Sequence, residues 1–452
     1  HTAEKALDQQ IDLAGLGNAV DVLGYSFYTI GFESQENKSY QKAYRLSRIR
    51  SASKAPHGKF WVLETEIGPT WDFQPPYDVR TMHYWQAVGH GAKALLGWNY
   101  RSRMSDTQVS SFHMNAWDGG ITERAEVNGE FSGLLQHHAK FINDAIPEKQ
   151  AAVLCFEQSL RDIASAYGAS SIYRKAEFQP ESRQVELYHR ARPGAFKMLW
   201  DMNIPADFIS EANISSLHDY KLLLVPMQFN MSPELAEALR EYVERGGTII
   251  AEAPFAFKDN FNILQEEAPG FGLKEVFGGY TSDMLAGNAA PDILIGKQNS
   301  SAGNIYQYFE LCGGSAAARY ADGGIAAVRN EFGQGRTLLM GTDAFRRYFE
   351  CQDEAMTGFL RNEIMAADVK PAGEIRVDGE LLDASEIEIR KLKSGESRLV
   401  IIINHGQDAF TGDISIDGTI GHMECLKTGK MFDALHDITL PANGVLVLKC
   451  PQ

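Results

Sequence analysis

The sequence lacks paired cysteines, low-complexity tracts and long apolar runs. Its five cysteines are odd in number and widely separated: Cys155, Cys312, Cys351, Cys425 and Cys450. This usage does not suggest a disulfide framework or a zinc site, and it is typical of a reducing cytoplasm. No apolar run reaches the roughly 18 residues that a membrane helix needs, so no membrane partner is expected.

Positive charge is also scarce. Lys and Arg number 43 against 59 Asp and Glu, which gives a formal net charge of −16. This balance argues against a nucleic-acid or anionic-membrane partner. The first ten residues, HTAEKALDQQ, form neither a basic nor an apolar leader, so no signal peptide is predicted. Because no Met opens the sequence, we expect a processed or partial chain.

The length of 452 residues predicts two or three domains. In residues 1–147, the apolar segments AVDVLGYSFY, FWVLE and AKALLGWNY alternate with amphipathic helical segments. Continuous apolar strands separated by helices predict a parallel sheet covered on both faces. Such sheets place their chemistry at the carboxyl ends of the strands.

Two further regions follow. Residues 148–370 again read as α/β, with a helix that Ser232 caps, Pro233 opens and Gly246 ends. This pattern predicts a flavodoxin-like or amidotransferase-like domain. Residues 371–452 change to short strands separated by turns, which is typical of a small antiparallel β-sandwich.

The segment KFWVLETEIGPTW carries the clearest chemical signal. Glu64 ends an apolar strand, a Gly-Pro turn follows, and Trp71 offers a flat surface of the kind that stacks on sugar rings. Polar and aromatic residues recur in GWNYRSR and SFH, after the next strand. Together they favour carbohydrate chemistry, with an ion pair as the alternative role for Glu64. Glu66 lies too near Glu64 in the chain to be its catalytic partner across a glycosidic bond.

The segments FWVLETEIGPTW, HYWQAVGHGAKALLGWNYRSR and FH…WDGGITERAEV resemble the end of the catalytic barrel of family 42 glycoside hydrolases, the β-galactosidases. The resemblance extends to the order of the later parts. It implies an α/β fold made of the last strands of a (β/α)8 TIM barrel, an amidotransferase-like trimerisation domain and a β-sandwich. The expected assembly is a homotrimer.

The resemblance also implies the site residues. Glu64 matches the family's nucleophile, and the residues matched to substrate binding are Trp71, His113, Tyr28 and Arg101. Neither a metal nor a cofactor is implied. Ser110 stands where the family has a sugar-binding Glu, and the loop before His113 is longer. Asp106 could compensate, and a related α-L-arabinopyranoside stays open as a substrate.

The barrel that the resemblance implies is incomplete in this sequence. A (β/α)8 barrel takes roughly 250 residues, and its acid/base Glu belongs to a strand not found here. We therefore expect the rest of the barrel on a missing or separate N-terminal part. The expected function is retaining hydrolysis of terminal β-D-galactosides. The alternatives are an inactive assembly or sugar-binding fragment and an amidotransferase-like enzyme using Cys155.

Overall fold

The computed structural model describes most of the chain. The described residues are 13–28, 39–53, 60–70, 74–105, 107–156, 159, 183–286, 290–382, 386–418 and 421–451. No helix in these ranges has both the length and the apolar character required to cross a membrane.

The N-terminal region contains a three-stranded parallel sheet in the order β1-β2-β3. Its elements are α1 (Leu13–Ala19), β1 (Leu23–Ser26), α2 (Ser39–Ala52), β2 (Phe60–Glu66), α3 (Tyr77–Gly89), β3 (Ala92–Trp98), α4 (Glu123–His137) and α5 (Ala139–Asp144). The alternation of strand and helix confirms the predicted α/β pattern of a barrel's last units.

Only one face of this sheet is covered within the described residues. Phe60 and Val62 of β2 are buried with α2 and α3, whereas Trp61 and Leu63 are exposed. Leu96 of β3 is exposed as well. The expectation of a sheet covered on both faces is therefore wrong for this part of the structure. The second face instead presents a row of large apolar side chains to solvent.

The middle region is built on an eleven-stranded mixed sheet. Its strands are β5 (Ala151–Leu154), β6 (Ala206–Ile209), β7 (Leu222–Val225), β8 (Thr248–Glu252), β9 (Gly279–Ala286), β10 (Ile293–Ile295), β11 (Gln298–Ser300), β12 (Ile305–Leu311), β13 (Ser315–Tyr320), β14 (Ile325–Phe332) and β15 (Gly335–Met340). Five are parallel in the order β15-β8-β7-β5-β6, and β9 to β14 extend the sheet with antiparallel pairs. The sequence predicted the parallel half but not this extension.

Helices cover both faces of the parallel half. These helices and the smaller helical elements of the region are α6 (Arg183–Asp201), a 3₁₀ turn (Ile214–Asp219), α7 (Pro233–Glu244), α8 (Leu273–Phe277), α9 (Ala344–Glu350) and α10 (Glu354–Met365). Alternate residues of β5 enter two separate cores: Val153 packs on the side of α6, and Leu154 on the side of α7. This double burial explains the unbroken apolar strands in the sequence.

Helix α7 has the start and stop residues that the sequence predicted. The Ser232 side chain accepts a hydrogen bond from the Leu235 N–H (3.0 Å), and Pro233 occupies the first turn. Gly246 follows the helix with a φ of 108°, a left-handed conformation that favours glycine.

The C-terminal region forms two antiparallel sheets, β17-β16-β20-β23 and β22-β21-β24-β19-β18-β4. Their strands are β4 (Ile146–Pro147), β16 (Gly373–Val377), β17 (Glu380–Leu381), β18 (Ile387–Ser394), β19 (Ser397–Asn404), β20 (Phe410–Ile416), β21 (Met423–Cys425), β22 (Met431–Phe432), β23 (Leu435–Leu440) and β24 (Val445–Pro451). Side chains from both sheets share one core, which confirms the sandwich.

Asn203, after α6, joins the middle region to the sandwich. Its side-chain amide donates to the Ile387 carbonyl oxygen and accepts from the Ile389 N–H, both at 2.9 Å. Its backbone carbonyl oxygen accepts from Ala372 (2.8 Å). One buried side chain thus makes the paired bonds to β18 that a neighbouring strand would make.

A buried carboxylate joins the barrel helices to the sandwich. Glu388 of β18 accepts hydrogen bonds from His90 Nε2 (2.7 Å), His405 Nε2 (2.8 Å) and Gln86 Nε2 (2.9 Å). His90 Nδ1 lies 2.9 Å from the Ser47 hydroxyl of α2. Two barrel helices are therefore tied to one residue of the sandwich.

The charge states in this cluster follow from burial and contact. Burial lowers the pKa of His90 to about 4, so at neutral pH its imidazole is uncharged and donates through Nε2. Burial alone would raise the pKa of Glu388, but the facing imidazoles of His90 and His405 hold it well below its usual range. An ionised carboxylate with three donors is a satisfied buried group.

We predict that Glu388→Gln lowers the free energy of unfolding by about 1–3 kcal/mol, because the new amide turns a donor towards imidazole N–H groups that need an acceptor. Urea denaturation at neutral pH measures the change. Glu374→Gln is the matched control, because the Glu374 carboxylate forms an exposed pair with Arg376. Equal denaturation midpoints for both variants would contradict the prediction.

Candidate functional site

Glu64 lies near the carboxyl end of β2, opposite Ser26 of β1 in the register. Its side chain is half-buried, and its Oε1 accepts a hydrogen bond from the Tyr28 hydroxyl. Its backbone oxygen accepts from the Phe27 N–H (2.7 Å). The ends of the two strands therefore bring Glu64 and Tyr28, two of the predicted site residues, into direct contact.

Tyr28 is held as a hydrogen-bond donor. Burial raises the pKa of its phenol, and the neighbouring Glu64 carboxylate raises it further. The phenol thus stays protonated across the physiological range and presents its O–H to the carboxylate. Its ring meets the Phe112 ring edge-on, with centroids 6.0 Å apart.

The ion-pair alternative for Glu64 finds no support in the described residues, where no Lys, Arg or His pairs with its carboxylate. Glu66 is different because it is fully buried, with its Oε2 3.3 Å from the Thr65 hydroxyl. Burial lowers the pKa of Lys42 to about 7, and the Glu66 charge opposes that shift. Glu66 is therefore an interior group, whereas Glu64 is only half-buried.

The loop that carries His113 packs against the turn after β2. A Cβ added to Gly68 would lie 2.0 Å from the His113 carbonyl oxygen, so only glycine allows this approach. The Phe112 N–H donates to the Pro69 oxygen (2.5 Å), and the Phe112 oxygen accepts from Asn99 (2.7 Å). Backbone contacts thus attach the His113 loop to the ends of β2 and β3.

His113 itself is buried. Burial lowers the pKa of its imidazole, and the positive charge of Arg124 lowers it further. Arg124 Nε also donates to the His113 carbonyl oxygen (2.8 Å). The structure therefore presents a neutral imidazole, which can both donate and accept a hydrogen bond.

The other predicted residues are placed less closely. Arg101 is exposed, and its Nε donates to the Trp117 carbonyl oxygen (3.0 Å). Ser110 is exposed with a φ of 68°, and its N–H donates to the Ser102 hydroxyl (3.0 Å). Trp71 and Asp106 lie outside the described residues.

Sequence reasoning missed three residues that position this site: Gly68, Phe112 and Arg124. Gly68 was read only as part of a turn, and its contact with His113 spans 45 positions of sequence. Such a contact leaves no local signal. For Arg124 the sequence offered a weak local signal, because Arg124 lies in the first turn of α4, after the N-cap residue Thr122.

Cys155, the residue of the amidotransferase alternative, is enclosed in the middle domain. Its thiol is buried in the core on the α6 side, 3.4 Å from Arg192 Nη1. Its N–H donates to the Ile209 oxygen (2.7 Å), so the backbone continues the pairing of β5 and β6. An enclosed thiol on extended backbone does not form an exposed nucleophile elbow, which favours the buried-thiol interpretation.

We predict that Gly68→Ala destabilises the chain by about 1–3 kcal/mol, because the added methyl group would displace the backbone at His113. Urea denaturation measures the loss, and hydrogen exchange of residues 110–114 locates it. Gly129→Ala in α4 is the control: its Cβ meets nothing within 4 Å, and it should gain about 0.5–1 kcal/mol. If Gly68→Ala leaves the free energy of unfolding unchanged, the packing of the two loops does not depend on this close approach.

The comparisons with known proteins find a matching domain model and several similar β-galactosidases. Residues 170–369 match the family model described as the β-galactosidase trimerisation domain. The chain is 24% identical over 434 residues to the β-galactosidase BgaB of a Geobacillus species, an alignment that covers 91% of this chain and 58% of that protein. It is 28% identical over 299 residues to the β-galactosidase BglY of Alicyclobacillus acidocaldarius, covering 61% of this chain and 40% of that protein.

A solved structure agrees in fold. The catalytic mutant of a family 42 β-galactosidase from G. stearothermophilus matches with a TM-score of 0.78 and 16% identity, covering 98% of this chain and 61% of that one. The chain thus spans about three fifths of the length of such relatives. The matched domain, the relatives and the shared fold make the chain similar to the C-terminal region of the family 42 β-galactosidases.

Proposed function

We propose that the chain is part of a retaining glycoside hydrolase that removes terminal β-D-galactosyl groups, with Glu64 as the nucleophile. The observation that carries the proposal is the half-buried Glu64 carboxylate near the carboxyl end of β2, paired within the described residues with a phenol donor rather than a cation. The similar proteins named β-galactosidases supply the substrate class.

The reaction has two steps. An oxygen of the ionised Glu64 attacks the anomeric carbon and forms a glycosyl ester, while a second carboxylic acid protonates the departing oxygen. That second group then takes a proton from water, which attacks the anomeric carbon and frees Glu64. We propose that the second carboxyl group comes from barrel strands outside these 452 residues.

Tyr28 positions the nucleophile. Its hydroxyl holds Glu64 Oε1, which leaves the other oxygen for attack. His113, Trp71 and Arg101 are proposed to bind sugar hydroxyls and the ring face. The neutral imidazole of His113 suits a hydroxyl group, because both donate and accept.

The uncovered face of the three-stranded sheet supports a barrel completed by further strands. Exposed Trp61, Leu63 and Leu96 give it an apolar character that is costly in water. We propose that the N-terminal barrel strands, on this polypeptide or on a separate one, cover it. The odd number and wide separation of the five cysteines favour a reducing compartment such as the cytoplasm.

We propose a different role for each of the three regions. Residues 1–147 supply the end of the barrel, residues 148–370 the trimer contacts and residues 371–452 the sandwich. The match of residues 170–369 to a trimerisation domain supports the second assignment.

In the enzyme reconstituted with the rest of the barrel, Glu64→Gln should lower kcat for a nitrophenyl β-D-galactoside by at least about 10⁴-fold, because an amide cannot form the glycosyl ester. Glu130→Gln is the matched control, since Glu130 is an exposed residue of α4. Retained turnover in Glu64→Gln would refute the assignment of Glu64 as the nucleophile.

The same assay with an α-L-arabinopyranoside tests the substrate alternative. Faster turnover of that substrate would contradict the galactoside assignment. An inactive wild-type enzyme that still binds galactose would support the sugar-binding alternative.

Sedimentation equilibrium should give three times the mass of the protomer, because residues 170–369 match a trimerisation domain. Glu64→Gln should leave this mass unchanged, since Glu64 lies outside the matched residues. A monomer or dimer across the concentration range would contradict the trimer.

A further inference from the structure

The middle region presents a short hairpin whose tip is apolar and exposed. The hairpin, residues 257–265, follows β8 and lies within the residues that match a trimerisation domain. At its tip, Phe261, Ile263 and Leu264 are 84%, 62% and 65% exposed. Single exposed apolar residues are common on protein surfaces, but three large ones within four positions form a patch typical of an interaction site.

Backbone hydrogen bonds hold the two arms of the hairpin together. The Asp259 N–H donates to the Ile263 carbonyl oxygen (3.0 Å). The Gln265 N–H donates to the Phe257 carbonyl oxygen (2.8 Å). The Phe257 N–H in turn donates to the Phe229 carbonyl oxygen (2.9 Å), in the segment after β7. The hairpin is therefore attached to the parallel half of the sheet by its backbone.

The side chain of Asp259 fixes the shape of the tip. Its Oδ1 accepts hydrogen bonds from the Phe261 N–H (2.8 Å) and the Ile263 N–H (2.9 Å). Its backbone oxygen accepts from the Asn262 N–H (3.1 Å) and from Nδ2 of the buried Asn230 (3.0 Å). Because the tip already has one shape, fixing it against a partner costs little conformational entropy.

The tip carries no charged side chain. Residues 260–264 have the sequence NFNIL, and the Asp259 carboxylate before them is bonded to N–H groups of the tip itself. The chain has a formal net charge of −16, so two copies repel one another over much of their surface. Copies can meet at this tip without removing a charged group from water.

The barrel region contacts the sheet of the middle region at a different place. The Ser51 hydroxyl of α2 accepts from the Phe208 N–H of edge strand β6 (2.9 Å), and Arg50 pairs with Asp207 of the same strand. The hairpin follows β8 and is bonded to the segment after β7, and both strands lie beyond β5 from β6. Within the described ranges, the barrel therefore does not account for the apolar tip.

We propose that the tip of this hairpin docks on a second copy of the chain, as an apolar anchor of the interface between copies. The proposal rests on the trimer proposed above, which the match of residues 170–369 supports. Copies in a ring of three meet through unlike surfaces, so each tip packs on a different surface of its neighbour. Aromatic and apolar side chains that fill a partner's pocket are typical anchors of such interfaces.

Photo-cross-linking of the whole chain tests the contact directly. With p-benzoylphenylalanine in place of Phe261, irradiation of mixed light- and heavy-isotope chains should give a covalent product between two copies, which mass spectrometry identifies. Leu381 of β17 is the matched control position, because it is as exposed as Ile263 (62%) but lies outside residues 170–369. The same label at position 381 should give no product between copies.

Phe261→Asp should raise the dissociation constant for self-association by at least about tenfold, because the interface would then enclose an unpaired charge. Sedimentation equilibrium measures this change, and Leu381→Asp should associate like the unmodified chain. Both substitutions replace exposed side chains, so neither should shift the urea midpoint of unfolding.

The outcomes distinguish this proposal from the trimer itself. An unmodified chain that stays monomeric overturns both. An oligomer in which position 261 gives no product between copies, or joins only to its own copy or to the N-terminal part of the barrel, overturns the docking and leaves the trimer standing. Equal weakening by Phe261→Asp and Leu381→Asp also overturns the docking.

Discussion

The connection between the barrel helices and the sandwich depends on the buried Glu388 carboxylate. It lies on a sandwich strand, yet its hydrogen-bond partners include Gln86 and His90, at the end of barrel helix α3. That helix connects β2 to β3, the strands whose carboxyl ends carry the candidate site. Glu388 therefore contacts the helix that lies between the two strands of the candidate site. The sandwich is best understood as a support for the barrel.

At the site, backbone contacts do the positioning. Glycine at position 68 lets the turn after β2 meet the loop of His113, and Phe112 then links that loop to the ring of Tyr28. Tyr28 in turn holds Glu64. These contacts bring residues from three strand ends to one edge of the sheet. They depend on the absence of a side chain at Gly68.

The sequence predicted features with local causes. Helix α7 was recognisable from Ser232, Pro233 and Gly246, and the strands β5 and β7 from unbroken apolar runs. Features that depend on distant contacts were not predicted. The antiparallel strands from β9 to β14 have mixed, partly exposed faces, so no apolar pattern marked them. Glu64 was found from its position at the end of an apolar strand and Tyr28 through the resemblance, whereas the contact of Gly68 with His113 required coordinates.

Asn203 has a consequence for how copies of the chain can meet. β18 pairs with β19 on one side, and its other side is occupied by β4 near Leu392 and by the Asn203 amide near Ile387. An unprotected strand edge invites pairing with the same edge of another molecule. A side chain and a two-residue strand together cover this edge, so copies of the chain cannot pair strand to strand along β18.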